Sequence, residues 1–589
     1  MRGFSVFGSM AVAALLLVIA PAAHAEVGKV TTLADGVTQQ VTYQIPLDPI
    51  TSGQNKIRYK PVAGSGKPAV DGWITAIKPD LVYSDDDPRA GQIPSSSKVM
   101  FHHGVWVNLS RGQQQFFATG EEKTQMILPD GYGYRYEKTD LWLLNEMIHN
   151  LTPEPMDLTV TYRINFIPDS APEAAAIKDA EPIWMDVENG RNRNYPVFDV
   201  LRGSGGKDGR FTYPQDAPDA YPAGQHPNEW TAPRAGVLLG TTGHVHTGGL
   251  NTELFMKREG ASYNGPVCKK PKVLGKLKKL NKKISRLSAR QNRAKKRSKT
   301  AMAKKLKRQK KAMLKARRKL KPKAKAAGRK YQACLDTQPT VEGNRVRLFE
   351  SKAKYFEPAG PVSWDMAMIS TRDDWRVQVE PGDTLELQTT YETKIASWYE
   401  SMGINVVFWS DETNGRDPYK TKVDTPGIPN HGHYPENDDH GGELPAIAPD
   451  PAKLPDGLLA SDGPFDIGGY TYEAGGFNLP GANGRPPVVE KGKSFTFQLT
   501  SADASKEIWH SLTSCKAPCN KTTGIAYPIA DGDFQFDSGQ LGNLGGNGAP
   551  PTVGRTTWST PANLPVGTHT YFCRIHPLMR GAFRVKPKT

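Results

Sequence analysis

The stretch T-G-H-V-H-T-G-G-L, residues 242–250, places His244 and His246 two positions apart. In a β-strand, side chains two apart point to the same face, so both imidazoles can bind one metal ion. Small residues surround the pair (Gly243, Thr247, Gly248), and they predict open space for a ligand. The motif alone leaves a metal site and a chance pair of histidines equally open.

Three more histidines and a methionine elsewhere in the chain accompany this pair. His102 and His103 are adjacent in K-V-M-F-H-H-G-V-W-V-N, and His149 lies in L-L-N-E-M-I-H-N-L. Met402 begins the apolar run M-G-I-N-V-V-F-W. The chain therefore presents the order HH, H, HxH, M. Met402 also has an ordinary interpretation, because methionine is a common residue of hydrophobic cores.

This order resembles the copper type II, ascorbate-dependent monooxygenases of the peptidylglycine α-hydroxylating and dopamine β-monooxygenase type, over about residues 90–410. The resemblance implies hydroxylation of a C–H bond with dioxygen, with ascorbate as a reductant. It implies two type II-like coppers, whose ligand sets are His102, His103 and His149, and His244, His246 and Met402. The segments L-P-D-G-Y-G near Pro129 and W-L-L-N near Trp142 give a looser likeness to plant stress-upregulated nodulin-type proteins.

A second ligand pattern, C-x-x-H-x-x-M, lies at Cys573, His576 and Met579, and His510 precedes it in a separate segment. A thiolate and two imidazoles with a weak axial thioether form a blue copper site, which suits electron transfer. Residues 470–589 resemble the cupredoxins, and their short ligand loop is most similar to that of amicyanin. The resemblance implies that His510, Cys573, His576 and Met579 hold a type I copper.

The chain has five cysteines: Cys268, Cys334, Cys515, Cys519 and Cys573. Cys268 and Cys334 flank a basic segment, and Cys515 and Cys519 lie close together in one loop, so we expect a disulfide within each pair. Cys573 is left over, which indicates a chemical role for its thiol.

The N-terminal segment predicts export, because residues 1–25 have the basic start, apolar core and A-x-A motif of a signal peptide cleaved after Ala25. Disulfides are consistent with export, since they form in oxidising compartments. We expect a secreted or extracytoplasmic protein of the cell envelope.

The formal net charge of +16 comes from one segment. Residues 269–330 contain 30 Lys and Arg and no Asp or Glu; taking these from the 76 Lys and Arg leaves 46 basic against 60 acidic residues, a net charge of −14. We expect the segment to bind an anionic envelope polymer or lipid headgroups. An exposed segment without a partner is the alternative, and any nucleic-acid binding would be non-specific.

In the basic segment the spacing of apolar residues changes from the two-residue period of strands to the period of an α-helix. Leucines and isoleucine recur at helical spacing from Leu277 to Leu287, and a second helix is predicted from about 301 to 320, with Met302 and Leu306 on its apolar face. Two antiparallel helices bring Cys268 and Cys334 within disulfide range. Residues 268–334 are therefore predicted to form a helical hairpin inserted into a β domain.

Alternating apolar and polar residues elsewhere predict a mainly β protein. We expect two jelly-roll-like β-sandwich domains, the inserted basic helical hairpin and a C-terminal cupredoxin β-sandwich. The expected bounds are 26–170 for the first sandwich, 171–182 for a linker, 183–415 for the second sandwich, 416–469 for a loop-rich linker and 470–589 for the cupredoxin domain.

Two functions follow from these patterns. The first is an exported copper monooxygenase with a built-in electron donor, acting on a small-molecule or peptide substrate that the sequence does not specify. The second is a non-enzymatic copper-binding or electron-transfer protein of the envelope. Such a protein could exchange electrons with an external redox partner. No Ser/His/Asp arrangement, phosphate-binding loop or zinc-finger spacing supports a third class.

Overall fold

The computed structural model describes residues 28–588 apart from a set of gaps. The gaps are 52–56, 96–97, 153, 189–196, 201–202, 219, 222–223, 264–266, 343, 357–365, 395–397, 432–449, 458–462, 474, 478–483, 507, 516–534, 543–554 and 577–578, with the side chains of 199, 399 and 431. The predicted signal peptide lies outside the described residues. Within them the protein is mainly β, as predicted, with strands in three sandwiches.

The N-terminal sandwich has two sheets with one shared core. Its strands are β1 (Thr31–Thr32), β2 (Gln39–Pro46), β3 (Arg58–Val62), β4 (Gly72–Tyr83), β5 (Val99–Asn108), β6 (Gln114–Thr119), β7 (Met126–Ile127), β8 (Tyr132–Tyr136), β9 (Trp142–Asn150), β10 (Leu158–Pro168) and β11 (Lys178–Asp179). One sheet has the order β1-β2-β10-β4-β8-β11, with β7 paired to β4, and the other has the order β3-β9-β5-β6. Aromatic side chains such as Trp106 and Tyr162 fill the space between them.

The central sandwich also consists mainly of two sheets. Its strands are β12 (Glu181–Asp186), β13 (Phe198–Val200), β14 (Arg210–Tyr213), β15 (Glu229–Thr231), β16 (Gly236–Val245), β17 (Gly249–Lys257), β18 (Thr340–Glu342), β19 (Arg345–Lys352), β20 (Lys354–Tyr355), β21 (Met366–Ser370), β22 (Val377–Val379), β23 (Thr384–Glu392), β24 (Trp398–Ser401), β25 (Gly403–Ser410) and β26 (Ile428–His431). One sheet runs β12-β25-β16-β21-β20 and the other β14-β23-β17-β19-β18; β13 and β24 pair separately.

The basic segment is a helical hairpin between β17 and β18. Helix α1 is Lys272–Lys296 and helix α2 is Thr300–Leu335, and the Cys268–Cys334 disulfide closes the base of the hairpin with a Cα–Cα distance of 5.8 Å. The predicted end of the second helix at 320 is wrong, because the Lys, Ala and Arg that follow are strong helix formers and continue through Pro322. Met302 is 47% exposed, and the smaller Ala303 takes the predicted apolar position where the helices meet.

The C-terminal sandwich contains β27 (Phe465–Gly468), β28 (Thr471–Tyr472), β29 (Gly476–Phe477), β30 (Val488–Glu490), β31 (Thr496–Leu499), β32 (Thr513–Cys515), β33 (Thr557–Ser559), β34 (Gly567–Phe572) and β35 (Arg580–Lys586), with the short helix α3 (Ser501–Ser505). Its sheets are β28-β27-β31-β33 and β29-β35-β34-β32, with β30 paired to β35. Four 3₁₀ turns complete the described structure, at Gly64–Gly66, Leu109–Arg111, Pro172–Ala176 and Pro451–Lys453.

The contact between the first two sandwiches positions the candidate site. Strand β6 lies against β12 and β25, so the β3-β9-β5-β6 sheet faces the β16–β25 sheet. Side chains of β16 alternate: Leu238 and Val245 enter the central core, whereas Val237 and Leu239 join the N-terminal core. Residues on the outer face of β16 and β25 are therefore enclosed between two sheets.

None of the helices in the described part of the chain combines the length and the hydropathy needed to cross a membrane.

Candidate metal centre

A β-bulge explains how two adjacent histidines serve one site. The β5–β9 ladder pairs Phe101 with Ile148 and His103 with Met147, which leaves His102 as the extra residue. Neighbouring residues of a regular strand point to opposite faces, whereas a bulge turns two consecutive side chains toward one side. The Nδ1 atoms of His102 and His103 are accordingly only 3.4 Å apart. His149, on β9, lies beside them with its ring centroid 4.5 Å from that of His102.

The HxH pair occupies the facing sheet, as its spacing predicts. His244 pairs with Ile404 in the β16–β25 ladder, and His246 directly follows the strand. The two ring centroids are 5.0 Å apart. The ring centroid of His246 is 4.1 Å from that of His102, which belongs to the other sandwich. The two predicted ligand sets therefore form one cluster of five histidines.

Glu122 orients His244 from the opposite sandwich. The Nδ1 atom of His244 lies 3.0 Å from the buried Oε1 of Glu122. The His244 Nε2 atom is also buried and has no hydrogen-bond partner among the described residues. A carboxylate on one ring nitrogen fixes the tautomer and leaves the other nitrogen as a metal ligand. This pairing therefore prepares Nε2 of His244 for coordination.

Substitution of Glu122 is expected to weaken metal binding without removing a ligand. We expect Glu122→Gln to lower the copper affinity of the cluster by about 10–100-fold, because an amide fixes the imidazole less strongly than a carboxylate. Competition with a chelator of known affinity measures the change. Glu146→Gln is the matched control, because Glu146 is an equally buried carboxyl group of the N-terminal sandwich whose charged neighbours are Arg58, Asp48 and Lys60. Equal affinities in the two variants would contradict the role of Glu122.

Space is present on one side of the HxH motif, as a pocket lined by Thr242, Gly243 and His244, but the side-chain positions of the glycines are filled. A Cβ added to Gly243 would lie 2.1 Å from Oγ1 of Thr252, and one added to Gly248 would lie 2.2 Å from the Trp398 ring. These glycines permit close packing of the backbone rather than entry of a ligand. Gly120 of the N-terminal sandwich makes the room for the histidine, since a Cβ there would lie 2.5 Å from Cε1 of His244.

Burial keeps most of the cluster imidazoles neutral. Loss of solvation lowers the pKa of His103 and of His149 to about 3. The pKa values of His102 and His246 also fall well below the usual range, first through burial and then through their histidine neighbours. Neutral imidazole is the form that binds metal ions. The cluster is therefore suited to a metal ion and unsuited to holding protons.

Glu400, at the end of β24, was not predicted as a site residue. Its carboxylate and the ring nitrogens of His102 and His149 include donor atoms that all lie within 4.8 Å of one another. Its backbone carbonyl accepts a hydrogen bond from Nδ1 of His246. No sequence spacing relates Glu400 to the histidines, so only the tertiary structure identifies it.

Met402 lies beside the cluster in an apolar setting. It is 2% exposed and packs with Ile57, Met147 and Ile404, and Ile404 is the ladder partner of His244. Met402 directly precedes β25, and its packing against Ile404 places it near His244. Coordination of a metal by the Met402 thioether stays a prediction.

The C-terminal sandwich brings three of its four predicted ligands together. The Cys573 Sγ atom is 4.0 Å from Nδ1 of His510 and 3.6 Å from Nδ1 of His576, and those two nitrogens are 3.2 Å apart. All three residues are at most 2% exposed. Met579 is equally buried, and its carbonyl accepts a hydrogen bond from the Cys573 amide at 2.9 Å. The axial role of its sulfur stays a prediction.

Asp503 orients His510 as Glu122 orients His244. Thr500 caps helix α3 by accepting a hydrogen bond from the Asp503 amide, and the carboxylate of Asp503 lies 2.8 Å from Nε2 of His510. Burial alone would raise the pKa of the Cys573 thiol, but hydrogen bonds from His510 and His576 lower it well below its usual value. Burial alone would lower the pKa of His510, whereas Asp503 and Cys573 raise it to about 9. The thiolate, which is the metal-binding form, is thus stabilised.

The Cys573 site and the histidine cluster adjoin each other. Burial is the main cause that lowers the pKa of His149, and electrostatic repulsion from His576 lowers it further. Gln540 of the C-terminal sandwich donates a hydrogen bond of 3.3 Å from Nε2 to the Glu400 carboxylate. Side chains of the C-terminal sandwich therefore reach the cluster between the other two sandwiches.

The remaining cysteine predictions have different outcomes. The Cys268–Cys334 disulfide is present, as predicted. Cys519 lies outside the described residues, so its pairing with Cys515 stays a prediction. Cys573 is the one free thiol among the described cysteines.

No protein-family model matches this chain, and no curated protein matches it.

Proposed function

We propose that the protein is an exported copper-dependent monooxygenase that hydroxylates a C–H bond with dioxygen and receives electrons through its C-terminal sandwich. The observation that carries the proposal is the hydrogen bond from Gln540 of the C-terminal sandwich to Glu400 of the cluster. Hydroxylation consumes two electrons per turnover, and this contact brings the sandwich that contains Cys573 to the histidine cluster. The C-terminal sandwich would relay electrons one at a time to the cluster, and an external reductant, either a redox partner or ascorbate, must supply the two electrons of each turnover.

The donor atoms fit copper. Cys573, His510, His576 and Met579 supply the soft thiolate, imidazole and thioether set of a type I site. The cluster offers neutral imidazoles at His103 and His149, and the buried Nε2 of His244 has no hydrogen-bond partner among the described residues. Copper bound at these places supplies one-electron transfer and the activation of dioxygen.

A pocket beside His244 is the proposed substrate site. It lies between the first two sandwiches and is lined by apolar side chains, among them Phe117, Met126 and Phe408, and by hydroxyl groups such as that of Thr242. Apolar walls exclude water, and the hydroxyl groups orient a polar substituent. This lining fits a small, largely apolar substrate with a hydrogen-bonding group.

Dioxygen uptake by the copper-loaded, reduced protein tests the proposal. Uptake that a candidate substrate accelerates, with an oxygenated product detected by mass spectrometry, is the expected result. The second candidate function, non-enzymatic copper binding or electron transfer, is favoured by the burial of the cluster, whose five imidazoles are between 1% and 8% exposed. Full copper loading without dioxygen uptake would replace the first function with the second.

The basic hairpin is proposed to hold the protein at an anionic envelope polymer or lipid surface. Because Cys268 and Cys334 are only 5.8 Å apart at Cα, residues 268–334 can be replaced by two glycines. We expect this deletion to keep the copper content and to abolish binding to anionic vesicles that the full chain releases in high salt. Binding that persists in the deletion would place the attachment elsewhere. Zwitterionic vesicles are the control.

A further inference from the structure

We propose that Glu400, together with His102 and His149, forms a two-histidine, one-carboxylate site for a divalent transition-metal ion where the three sandwiches meet. Each residue offers one donor atom, and the three atoms lie within 4.8 Å of one another. Three donors bound to one ion at about 2.0–2.2 Å lie about 3.3–3.8 Å from one another in tetrahedral or trigonal geometry. Coordination therefore requires the three atoms to draw together by no more than about 1.5 Å.

The proposed site differs from the predicted ligand set of His102, His103 and His149 in one residue. The carboxylate of Glu400 takes the place of the His103 imidazole. The Nε2 atom of His103 lies 3.4 Å from Oδ1 of Asn145. The group of three donor atoms within 4.8 Å of one another thus contains Glu400 and not His103. The rings of His102 and His149 lie beside each other, with a tilt of 33° between their planes.

The backbone of Glu400 supports a specialised role. Its φ angle is +55°, a left-handed conformation that costs a non-glycine residue free energy and that concentrates at functional sites. In this conformation one residue contacts three parts of the protein. Its carbonyl accepts from His246, its carboxylate joins His102 and His149, and Gln540 donates to that carboxylate.

The donor set predicts which oxidation state the site prefers. A carboxylate oxygen is a harder donor than imidazole or thioether, so it favours Cu(II) and Zn(II) over Cu(I). The HxH pair with Met402 has the softer set. The cluster would then combine one position that favours the oxidised ion with one that favours the reduced ion, and the former lies toward the C-terminal sandwich. This inference rests on the proposed function only in taking the cluster to bind metal ions.

Two substitutions of Glu400 test the site in the full-length chain. Glu400→Gln keeps the side-chain shape and removes the charge. Glu400→Gly removes the carboxylate, keeps the carbonyl that His246 contacts and tolerates the left-handed backbone, so it guards against misfolding. Equilibrium dialysis with Cu(II), and separately with Zn(II), measures the metal equivalents per chain, and electron paramagnetic resonance records the Cu(II) signals.

We expect both variants to lose one equivalent of Cu(II) and of Zn(II), or to bind it more than about 100-fold more weakly, since loss of a ligand exceeds the effect of losing an outer partner. His149→Gln should lose the same equivalent, and Glu146→Gln should retain it. Cu(I) affinity should change far less. Wild-type equivalents and an unchanged resonance spectrum in both Glu400 variants would overturn the site.

The two proposals fail in different ways. Loss of one equivalent in the Glu400 variants, with no dioxygen uptake by the wild type, rejects the monooxygenase and keeps the site. Dioxygen uptake by a wild type whose Glu400 variants keep every equivalent rejects the site and keeps the monooxygenase.

Discussion

Replacement of Cys573 by serine is expected to remove the blue or green colour of the oxidised, copper-loaded protein completely. The colour of a type I copper arises from charge transfer between the thiolate and Cu(II), and serine cannot supply it. The fold should survive, because the Ser511 and His576 amides that donate to Cys573 Sγ can donate to the serine hydroxyl instead. Visible absorption and copper content measure the effect.

The variant should lose one copper and keep the copper of the histidine cluster. His569→Gln is the control, because His569 is a buried histidine of β34, the strand that ends just before Cys573, and its ring nitrogens lie against Gln535 and the Pro565 carbonyl instead of Cys573. This control should stay coloured. A colourless wild type with full copper content would reject the type I site, whatever the variant shows.

Replacement of Met402 by isoleucine is expected to abolish dioxygen reactivity while leaving the protein folded. Isoleucine has a similar volume and no sulfur, and the site is an apolar cluster that accepts it. If the thioether is a ligand, its loss weakens Cu(I) binding, and Cu(I) is the form that reacts with dioxygen. X-ray absorption of the reduced protein in the Cys573→Ser background should show a Cu–S contribution that Met402→Ile removes.

Met147→Ile is a matched control for Met402→Ile, because it makes the same substitution in the same apolar cluster. Met147 packs in the same four-residue apolar cluster as Met402, but it comes from β9 and pairs with His103 in the ladder. It should keep both the Cu–S contribution and dioxygen uptake. Loss of the Cu–S signal in Met147→Ile alone would transfer the ligand role from Met402 to Met147, and persistence of the signal in both variants would mean that neither methionine is its source.

Local sequence patterns predicted the elements of this protein well. The alternation of apolar and polar residues predicted strands, and the HxH spacing correctly placed His244 on one with His246 beside it. The change to helical spacing and the flanking cysteines predicted the hairpin and its disulfide. These features depend on neighbours in the sequence, which is why the sequence reveals them.

The site itself depends on contacts that no local pattern encodes. Adjacent histidines share a face only because a bulge occurs at His102, and bulges have no reliable sequence signal. Glu122 and Glu400 are ordinary glutamates in a chain with many acidic residues, and packing between sandwiches brings them to the histidines. The merging of two predicted ligand sets follows from the same packing.

The wide spacing of the cluster residues along the chain has a consequence for biogenesis. His102, His246 and Glu400 belong to different segments, and Gln540 reaches Glu400 from the last sandwich. A nascent or unfolded chain therefore offers its histidines singly or in local pairs, as weak ligands for whatever ion is present. In the proposed function, selective metal loading comes after folding, and a metal-delivery factor would have to recognise the finished protein. The metal content of a preparation then measures the fraction of chains that have matured.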